Sequence, residues 1–356
     1  MAWSSRSSLL FCFTVFEEAD DFSVIMKNTL KLSVVLVALL VSLVIVAQAP
    51  VPVVRVTERR HSPGGAANVA ANLAALGAEP LLVGLIGDDP AGRDLRTALA
   101  VHRIDAGRLI PTPGRPTTTK TRVVARGQQV VRVDEEEIGP VDLPTTTALI
   151  RAIETAVAGA AAVVLEDYDK GSLNQATIPA ALVAARARGI PIVVDPKFAH
   201  FFTYIGATLF KPNRRELAAA LGPGRDPDDS SELRSLLERL QAEHLLVTLG
   251  ADGMRLLSRS GADHRIAGQA REVFDVSGAG DTVTAWVAAA LAGGATALDA
   301  AMLANAAAAI EVGKRGVATV TPAEVLALLE GGGNERAETG AAGRRGISLS
   351  ARFPGD

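Results

Sequence analysis

The seven residues Asp275–Asp281, DVSGAGD, bring an anion-binding backbone and a carboxylate close together in the chain. An apolar run from Thr282 to Leu291 follows directly, so a helix is predicted to begin here. The first N–H groups of a helix have no intrahelical partner, and the helix macrodipole is positive at that end. Because Gly278, Ala279 and Gly280 carry little side-chain bulk, their N–H groups could bind and stabilise a phosphoryl group.

Asp281 lies at the edge of this predicted anion site. A carboxylate is a poor ligand for a phosphate, but it is a suitable general base for a hydroxyl that attacks a phosphoryl group. Such a base typically accelerates a reaction by ~10²–10⁴-fold. The alternative is an ordinary glycine-rich turn in which Asp281 caps the helix, and for Asp275 a structural role is favoured.

Composition limits the classes of function that need be considered. With 356 residues, 48% of them hydrophobic, the chain can bury the core of a large α/β domain. A formal net charge of −3 gives no reason to expect a nucleic-acid partner. Cys12 is the single cysteine, which excludes a disulfide within the chain and a cysteine-based metal site.

Short β-branched runs alternate with Ala/Leu-rich runs, which predicts an α/β fold with a mostly parallel sheet and helices on both faces. Strands are predicted at Pro80–Leu85, Ala161–Leu165, Pro191–Asp195, Ala207–Lys211 and His244–Thr248. Helices are predicted at Ala66–Leu76, Thr145–Val157, Gln175–Arg188, Ser231–Ala242, Asp281–Ala292, Ala297–Val312 and Pro322–Leu329, the last capped by Thr321.

Two further segments depart from this alternation. Thr118–Arg126 and Gln129–Asp134 alternate in polarity around Gly127-Gln128, which predicts a hairpin with one solvated face. Together with Pro52–Val56 it would form a small sheet beside the main domain. The tail, residues 331–356, is rich in Gly, Arg and Ser without periodicity and is predicted to be disordered.

The glycine-rich segment Gly64–Gly77, which begins GGAAN, lies far upstream of the DVSGAGD run. Together they resemble the two signatures of the ribokinase-like (PfkB) family of carbohydrate kinases. The runs DYDKGSL, TLFKPNRREL and ANAAAAIEVGKRGVATV are most similar to the heptose 7-phosphate kinases of that family. The resemblance covers Ala49 to Leu329, and it implies a ribokinase-like fold, ATP and Mg²⁺ as cofactors, and a β lid over the sugar.

On the sugar side, the resemblance assigns Gly64, Gly65 and Asn68 to substrate binding. The glycines would let a sugar approach the backbone, and Asn68 could read its hydroxyls. The alternative is a tight turn that leads into a helix. Basic residues are the candidates to bind the 7-phosphate of the sugar, although a solvated hairpin face would look the same: Lys120, Arg122, Arg126 and Lys170.

On the nucleotide side, Asn213 and Glu216 match an N-x-x-E pair that would hold Mg²⁺ through water. The alternative is a capping box, with Asn213 as the N-cap and Glu216 at N3, and both descriptions can hold together.

Further residues would line the nucleotide, each with a simpler structural alternative in a β-turn or in helix packing: Thr248, Gly250, Gly253, Asn305 and Gly316.

Met1–Gln48 does not resemble the family. Its apolar run Leu32–Ala47, followed by Ala47-Gln48-Ala49, would fit a signal peptide or membrane anchor that starts at Met26, or a buried strand. We favour a third interpretation, in which residues 1–48 are foreign to the fold and the kinase domain spans 49–330.

The leading functional hypothesis is ATP-dependent phosphorylation of the anomeric hydroxyl of D-glycero-β-D-manno-heptose 7-phosphate, in ADP-heptose and lipopolysaccharide core synthesis. We expect a cytoplasmic homodimer that associates through the β lid and consists of the kinase unit alone. The alternatives are another PfkB-type sugar or nucleoside kinase, a kinase impaired by its altered N-terminus, and an exported sugar-binding protein.

Overall fold

The computed structural model describes residues 53–125, 128–270 and 273–338, together with Ser33. The chain divides into two units, Met1–Glu58 and Arg59–Asp356. The described end of the first unit, residues 53–58, has no regular secondary structure, and Val53, Val54 and Val56 are exposed. The predicted lid strand Pro52–Val56 is therefore wrong for residues 53–56, which form no strand. The apolar run 32–47 lies outside the described residues apart from Ser33.

The described part of the second unit contains both strands and helices. The strands are β1 (Gly84–Ile86), β2 (Leu109–Pro111), β3 (Thr119–Ala125), β4 (Gln128–Glu135), β5 (Val163–Glu166), β6 (Ile192–Asp195), β7 (Leu209–Phe210), β8 (His244–Thr248), β9 (Met254–Ser258) and β10 (Asp263–Ile266). The helices are α1 (Ala66–Ala75), α2 (Pro90–Val101), α3 (Leu143–Gly159), α4 (Thr177–Ala187), α5 (Arg214–Leu221), α6 (Ser230–Leu240), α7 (Ala279–Ala292), α8 (Ala297–Glu311) and α9 (Pro322–Glu338).

The central sheet has six strands in the order β10-β9-β8-β7-β6-β5. Strands β5 to β8 run parallel, whereas β9 and β10 are antiparallel to their neighbours. The expected α/β fold with a mostly parallel sheet is thus confirmed. Strands β9 and β10 were not predicted from the sequence. All five residues of β9 are buried, including Arg255 and Ser258, so the strand shows no polar alternation.

Both faces of the parallel part of this sheet are buried, as parallel sheets require, whereas the edge strand β10 is partly exposed. On one face Val194 and Phe210 pack among residues of α3, α4 and α6. On the other face Val193 and Leu209 pack against α7 and α8. Helix α7 thereby lies across the sheet with its first turn at a fixed position.

Two smaller sheets lie outside the central one. β1 and β2 form a parallel pair, with Gly84 opposite Leu109. β3 and β4 form the predicted antiparallel hairpin, with a register shift between Val123 and Val124.

The last helix contradicts part of the disorder predicted for 331–356. α9 continues to Glu338, so the backbone of 331–338 is helical, and residues 339–356 lie outside the described part. Glu335, Arg336 and Ala337, which follow the three glycines, favour helix. Among the described residues, no helix combines the length and the apolar character that a membrane span needs.

Candidate active site

Gly278 is the N-cap of α7, where it adopts a left-handed backbone with φ 100°. A Cβ at this position would lie 3.0 Å from Nδ2 of Asn68 and 3.2 Å from Oε1 of Glu311. The backbone conformation and the close neighbours both require glycine here. The glycine-rich helix start predicted from the sequence is therefore present, and no Cβ at Gly278 crowds its N–H groups.

Asp281 lies in the first turn of α7 and is buried, with 7% exposure. Its Oδ2 accepts a 2.7 Å hydrogen bond from Nδ2 of Asn68, and its Oδ1 accepts a 2.9 Å bond from the hydroxyl of Tyr168. Burial raises the pKa of Asp281 and the charge of Asp195 adds to the rise, whereas the two hydrogen bonds and Lys211 lower the pKa. The carboxylate is therefore oriented at both oxygens and partly shielded from water.

Asn68 reaches Asp281 because α1 packs against α7. The N-cap of α1, Gly65, has φ 54°, and a Cβ there would lie 3.2 Å from the Tyr168 ring. Gly65 thus lets the start of α1 approach Tyr168, whereas a Cβ on Gly64 would meet nothing within 4 Å. The two glycine-rich motifs of the sequence meet at one carboxylate, and one role of Asn68 is to position Asp281.

Glu166 and Asp195 end neighbouring strands, β5 and β6, and form a carboxylate cluster with Asp281, with one oxygen of each residue within 4.8 Å of the others. Neither oxygen of Glu166 has a hydrogen-bond partner in the described part of the chain. Burial, followed by the charges of Asp195 and Asp281, raises the pKa of Glu166 well above its usual range. Such a set of oxygen donors fits a hard divalent cation such as Mg²⁺.

Lys211 is buried beside this cluster, and its Nζ forms a 2.8 Å ion pair with Oδ2 of Asp195. The same Nζ lies 3.8 Å from the position that a Cβ on Gly280 would take. A positive charge therefore lies under the N-terminal turn of α7, which reinforces its affinity for an anion.

The capping alternative for Asn213 and Glu216 is confirmed. Oδ1 of Asn213 accepts the Glu216 N–H at 2.9 Å, while Oε2 of Glu216 accepts the Asn213 N–H at 2.9 Å. The remaining oxygen, Oε1 of Glu216, pairs with Nζ of Lys197 at 2.5 Å. The binding of Mg²⁺ through this pair stays a prediction.

Thr248 lies beside Asn213 through a parallel β-bridge, so two of the predicted nucleotide residues are adjacent. Gly250 begins the 3₁₀ turn Gly250–Asp252, and Gly253 follows it with φ 91°. A Cβ on Gly253 would overlap the carbonyl oxygen of Ile266, so glycine is required at that position.

Asn305 is buried in α8, and its Nδ2 donates a 2.8 Å hydrogen bond to the carbonyl oxygen of Ala267. Gly316 lies in an exposed turn with φ 70°. Near the 3₁₀ turn, a cavity of about 390 Å³ is lined by Arg214, Asp228, Leu249, Asp252, Met254, Arg265, Ile266 and Ala267.

Only two of the predicted phosphate-binding residues share a partner in the structure. Lys120 and Lys170 each form a 2.8 Å ion pair with Glu136, and these hydrogen bonds, that of Lys120 first, hold the pKa of Glu136 below its usual value. Arg122 lies exposed on β3 opposite Arg132. Arg126 lies outside the described residues. In the described part, no hydrogen bond or ion pair joins Lys120, Lys170 or Arg122 to Asp281.

The sequence patterns assigned no role to several residues of the site: Glu166, Tyr168, Asp195, Lys211 and Glu311. Tyr168 and Lys211 lie inside the runs DYDKGSL and TLFKPNRREL, so their positions were a usable signal. Glu311 ends an alanine-rich helix, where nothing in the sequence indicates a buried acid.

The sequence profile described as pfkB family carbohydrate kinase matches residues 31–324. The match begins upstream of Ala49, where we expected family-like sequence to start. A bifunctional protein HldE of Azorhizobium caulinodans is 49% identical over 285 residues, which cover 80% of this chain and 60% of the relative. A bifunctional protein HldE of Halorhodospira halophila is 46% identical over 307 residues, which cover 86% of this chain and 63% of the relative. The chain thus spans about three fifths of the length of these relatives.

Solved structures support the fold. Arabidopsis thaliana ribokinase complexed with ribose and ATP is similar with a TM-score of 0.62 at 19% identity, covering 80% of this chain and 93% of that one. The tetrameric inhibited form of Escherichia coli phosphofructokinase-2 is similar with a TM-score of 0.64 at 18% identity. The similarity covers 79% of this chain and 91% of that one. These similarities establish a ribokinase-like fold. With the sequence match over most of its length, the chain belongs to the pfkB family of carbohydrate kinases.

Proposed function

We propose that this protein transfers the γ-phosphoryl group of ATP to the anomeric hydroxyl of D-glycero-β-D-manno-heptose 7-phosphate. The observation that carries the proposal is the placement of Asp281. It is a buried carboxylate, hydrogen-bonded at both oxygens, in the first turn of a helix that begins with Gly278. The similarity to bifunctional HldE proteins supports the choice of substrate.

In this mechanism Asp281 accepts the proton of the sugar hydroxyl as its oxygen attacks phosphorus. The N–H groups at Gly278, Ala279 and Gly280, with Lys211 beneath them, stabilise the charge on the transferring group. The hydrogen bonds from Asn68 and Tyr168 keep Asp281 in the orientation that this proton transfer needs.

ATP would lie along Thr248, Gly250 and Gly253, with Asn305 and Gly316 on the adenine side. When bound, Mg²⁺ would neutralise part of the phosphate charge. Glu166 and Asp195 would hold the ion directly, with Asn213 and Glu216 binding through water.

The lid hairpin would recognise the 7-phosphate. Lys120 and Lys170 share one carboxylate, Glu136, so a phosphate could replace it as their common partner. Gly64, where a Cβ would meet nothing within 4 Å, would leave room for the sugar beside Gly65, which accommodates the Tyr168 ring. The same lid leads us to propose a homodimer, because Val131 and Val133 on one face of β4 are 46% and 48% exposed.

A second candidate is a different sugar or nucleoside kinase of this family. It is favoured by the lid pairing, because Lys120 and Lys170 already have a partner in Glu136 and therefore need no substrate phosphate to be satisfied.

One assay separates these candidates. ADP release would be followed with heptose 7-phosphate, with the heptose lacking its phosphate, with fructose 6-phosphate and with adenosine, and phosphorus NMR would locate the new phosphate. We expect turnover to the 1,7-bisphosphate. We also expect Lys170→Met to raise KM for heptose 7-phosphate by ~10-fold or more while leaving KM for the unphosphorylated sugar unchanged, since a charge-assisted hydrogen bond is lost.

Arg151→Met, on an exposed position of α3, is the matched control and should behave as wild type. Turnover of adenosine or of another sugar in preference to heptose 7-phosphate would support the second candidate. ATP binding without any turnover would support the kinase impaired by its altered N-terminus.

We also propose that the protein acts in the cytoplasm, where ATP is available. Mass spectrometry of the native protein tests this, because an exported form would be cleaved near Ala49.

A further inference from the structure

A second cluster of metal-ligating side chains lies at the carboxyl edge of the central sheet. Asp167 and Asp169 follow β5, and His200 follows β6. One ligand atom from each residue lies within 4.8 Å of the others. The proposed kinase reaction uses none of these three side chains.

The distances within this cluster are too long for hydrogen bonds. Nδ1 of His200 lies 3.5 Å from Oδ2 of Asp167 and 3.9 Å from Oδ1 of Asp169. Hydrogen bonds of this type span about 2.7–3.2 Å. Two ligands of a tetrahedral zinc ion, with bonds of about 2.0–2.1 Å, are about 3.3–3.4 Å apart.

Two of the three atoms are buried without a partner. Nδ1 of His200 and Oδ1 of Asp169 are enclosed, and in the described part of the chain neither makes a hydrogen bond. A buried polar atom without a hydrogen-bond partner costs about 1–3 kcal/mol. Because these two atoms lie close together, one ligand bound between them would satisfy both.

The third ligand is already oriented by its surroundings. Asp167 is 1% exposed, its Oδ2 accepts a 2.6 Å hydrogen bond from the fully buried hydroxyl group of Tyr204, and its Oδ1 accepts the Asp169 N–H at 2.8 Å. Outer hydrogen bonds of this kind fix the carboxylates of metal sites.

We propose that Asp167, Asp169 and His200 form a binding site for a first-row divalent metal ion of the zinc type. The imidazole ligand favours such an ion over Mg²⁺, and three protein ligands leave a fourth position for water. The ion would join the segment after β5 to the segment after β6. Tyr168, which donates to Asp281, lies between the two aspartates in the chain.

Cobalt(II) is the probe, because its visible absorption reports its coordination geometry. The full chain is stripped with chelator and titrated with Co²⁺ in excess Mg²⁺, which would occupy the carboxylate site at Glu166 and Asp195. We expect equimolar binding with a tetrahedral spectrum. His200→Asn and Asp169→Asn should each weaken the binding by ~10-fold or more, and Tyr204→Phe by ~10–100-fold.

Glu166→Gln is the matched control, since it alters the other cluster and should leave Co²⁺ binding unchanged. Thermal unfolding gives an independent measurement that does not require the variants. Zn²⁺ should raise the Tm of the wild type in excess Mg²⁺, because a ligand that binds only the folded state stabilises it. The proposal is overturned if the wild type shows no tetrahedral Co²⁺ spectrum, if His200→Asn binds as the wild type does, or if Glu166→Gln abolishes the spectrum.

Discussion

The hydroxyl of Tyr168 donates a 2.9 Å hydrogen bond to Oδ1 of Asp281, although 113 positions separate the two residues in the chain. Burial, and then the charge of Asp281, raises the pKa of Tyr168 far above its usual value, so the hydroxyl keeps its proton and remains a donor. This bond favours the ionised form of Asp281, the form that can accept a proton from the sugar.

Tyr168→Phe should therefore raise the pKa of Asp281 further above its ordinary value of 3.8. Activity that requires ionised Asp281 is lost as the pH falls through its pKa, so the acidic limb of the kcat/KM profile should move to higher pH. The loss of kcat/KM caused by Tyr168→Phe should be smaller at alkaline pH. A pH–rate profile checks this, and a uniform loss at every pH would instead indicate a steric role for the Tyr168 ring.

Asp281→Asn should lower kcat by ~10²-fold or more and leave the affinity for ATP near normal, because only the proton acceptor is lost. The matched control is Asp275→Asn. Oδ1 of Asp275 accepts the Ser277 N–H at 2.9 Å, and an amide oxygen can replace it in that bond. We expect the control to keep turnover within about ten-fold. Wild-type turnover in Asp281→Asn would exclude Asp281 as the base.

Gly278→Ala and Gly280→Ala form a matched pair at the start of α7. Gly278 has φ 100° and close contacts to Asn68 and Glu311, so its substitution should destabilise the fold by about 1–3 kcal/mol. A Cβ on Gly280 meets only Nζ of Lys211 at 3.8 Å, an ordinary contact, and its stability should change by less than about 0.5 kcal/mol. Denaturant unfolding measures both, and equal effects would contradict the strain at Gly278.

The sequence predicted those parts of the site that follow from local rules. The helix start within the DVSGAGD run, the capping box of Asn213 and Glu216, and strand β8 at His244–Thr248 all appear, although α7 begins at Ala279 and not at the predicted Asp281. Each depends on residues close together in the chain or on a short hydrophobic pattern.

The rest depends on which strand ends become neighbours. Glu166 and Asp195 meet Asp281 only because β5 and β6 pair and α7 packs across them. No spacing in the sequence encodes that pairing. For the same reason, the sequence positions of Lys120, Lys170 and Glu136 did not indicate that both lysines form ion pairs with Glu136.

Glu311 gives the last prediction. It is fully buried at the C-terminal end of α8, with no hydrogen bond of ordinary geometry to either carboxylate oxygen in the described part of the chain. Burial, followed by the charges of Asp275 and Asp281, raises its pKa from 4.5 to about 8, while the Ala318 amide and Lys314 oppose the rise. Between these two values the folded protein holds a proton that the unfolded chain has released.

The contribution of Glu311 to stability therefore falls as the pH rises from about 4.5 towards about 8, by at most about 1.4 kcal/mol per pH unit. Glu311→Gln keeps a neutral side chain of the same shape and removes this dependence. Unfolding at about pH 5 and about pH 8 should show the variant gaining stability relative to wild type at the higher pH. Glu238→Gln, at an exposed position of α6, should show no such gain. If wild type and Glu311→Gln lose stability in parallel, Glu311 is ionised in the folded protein and must find a cationic partner there.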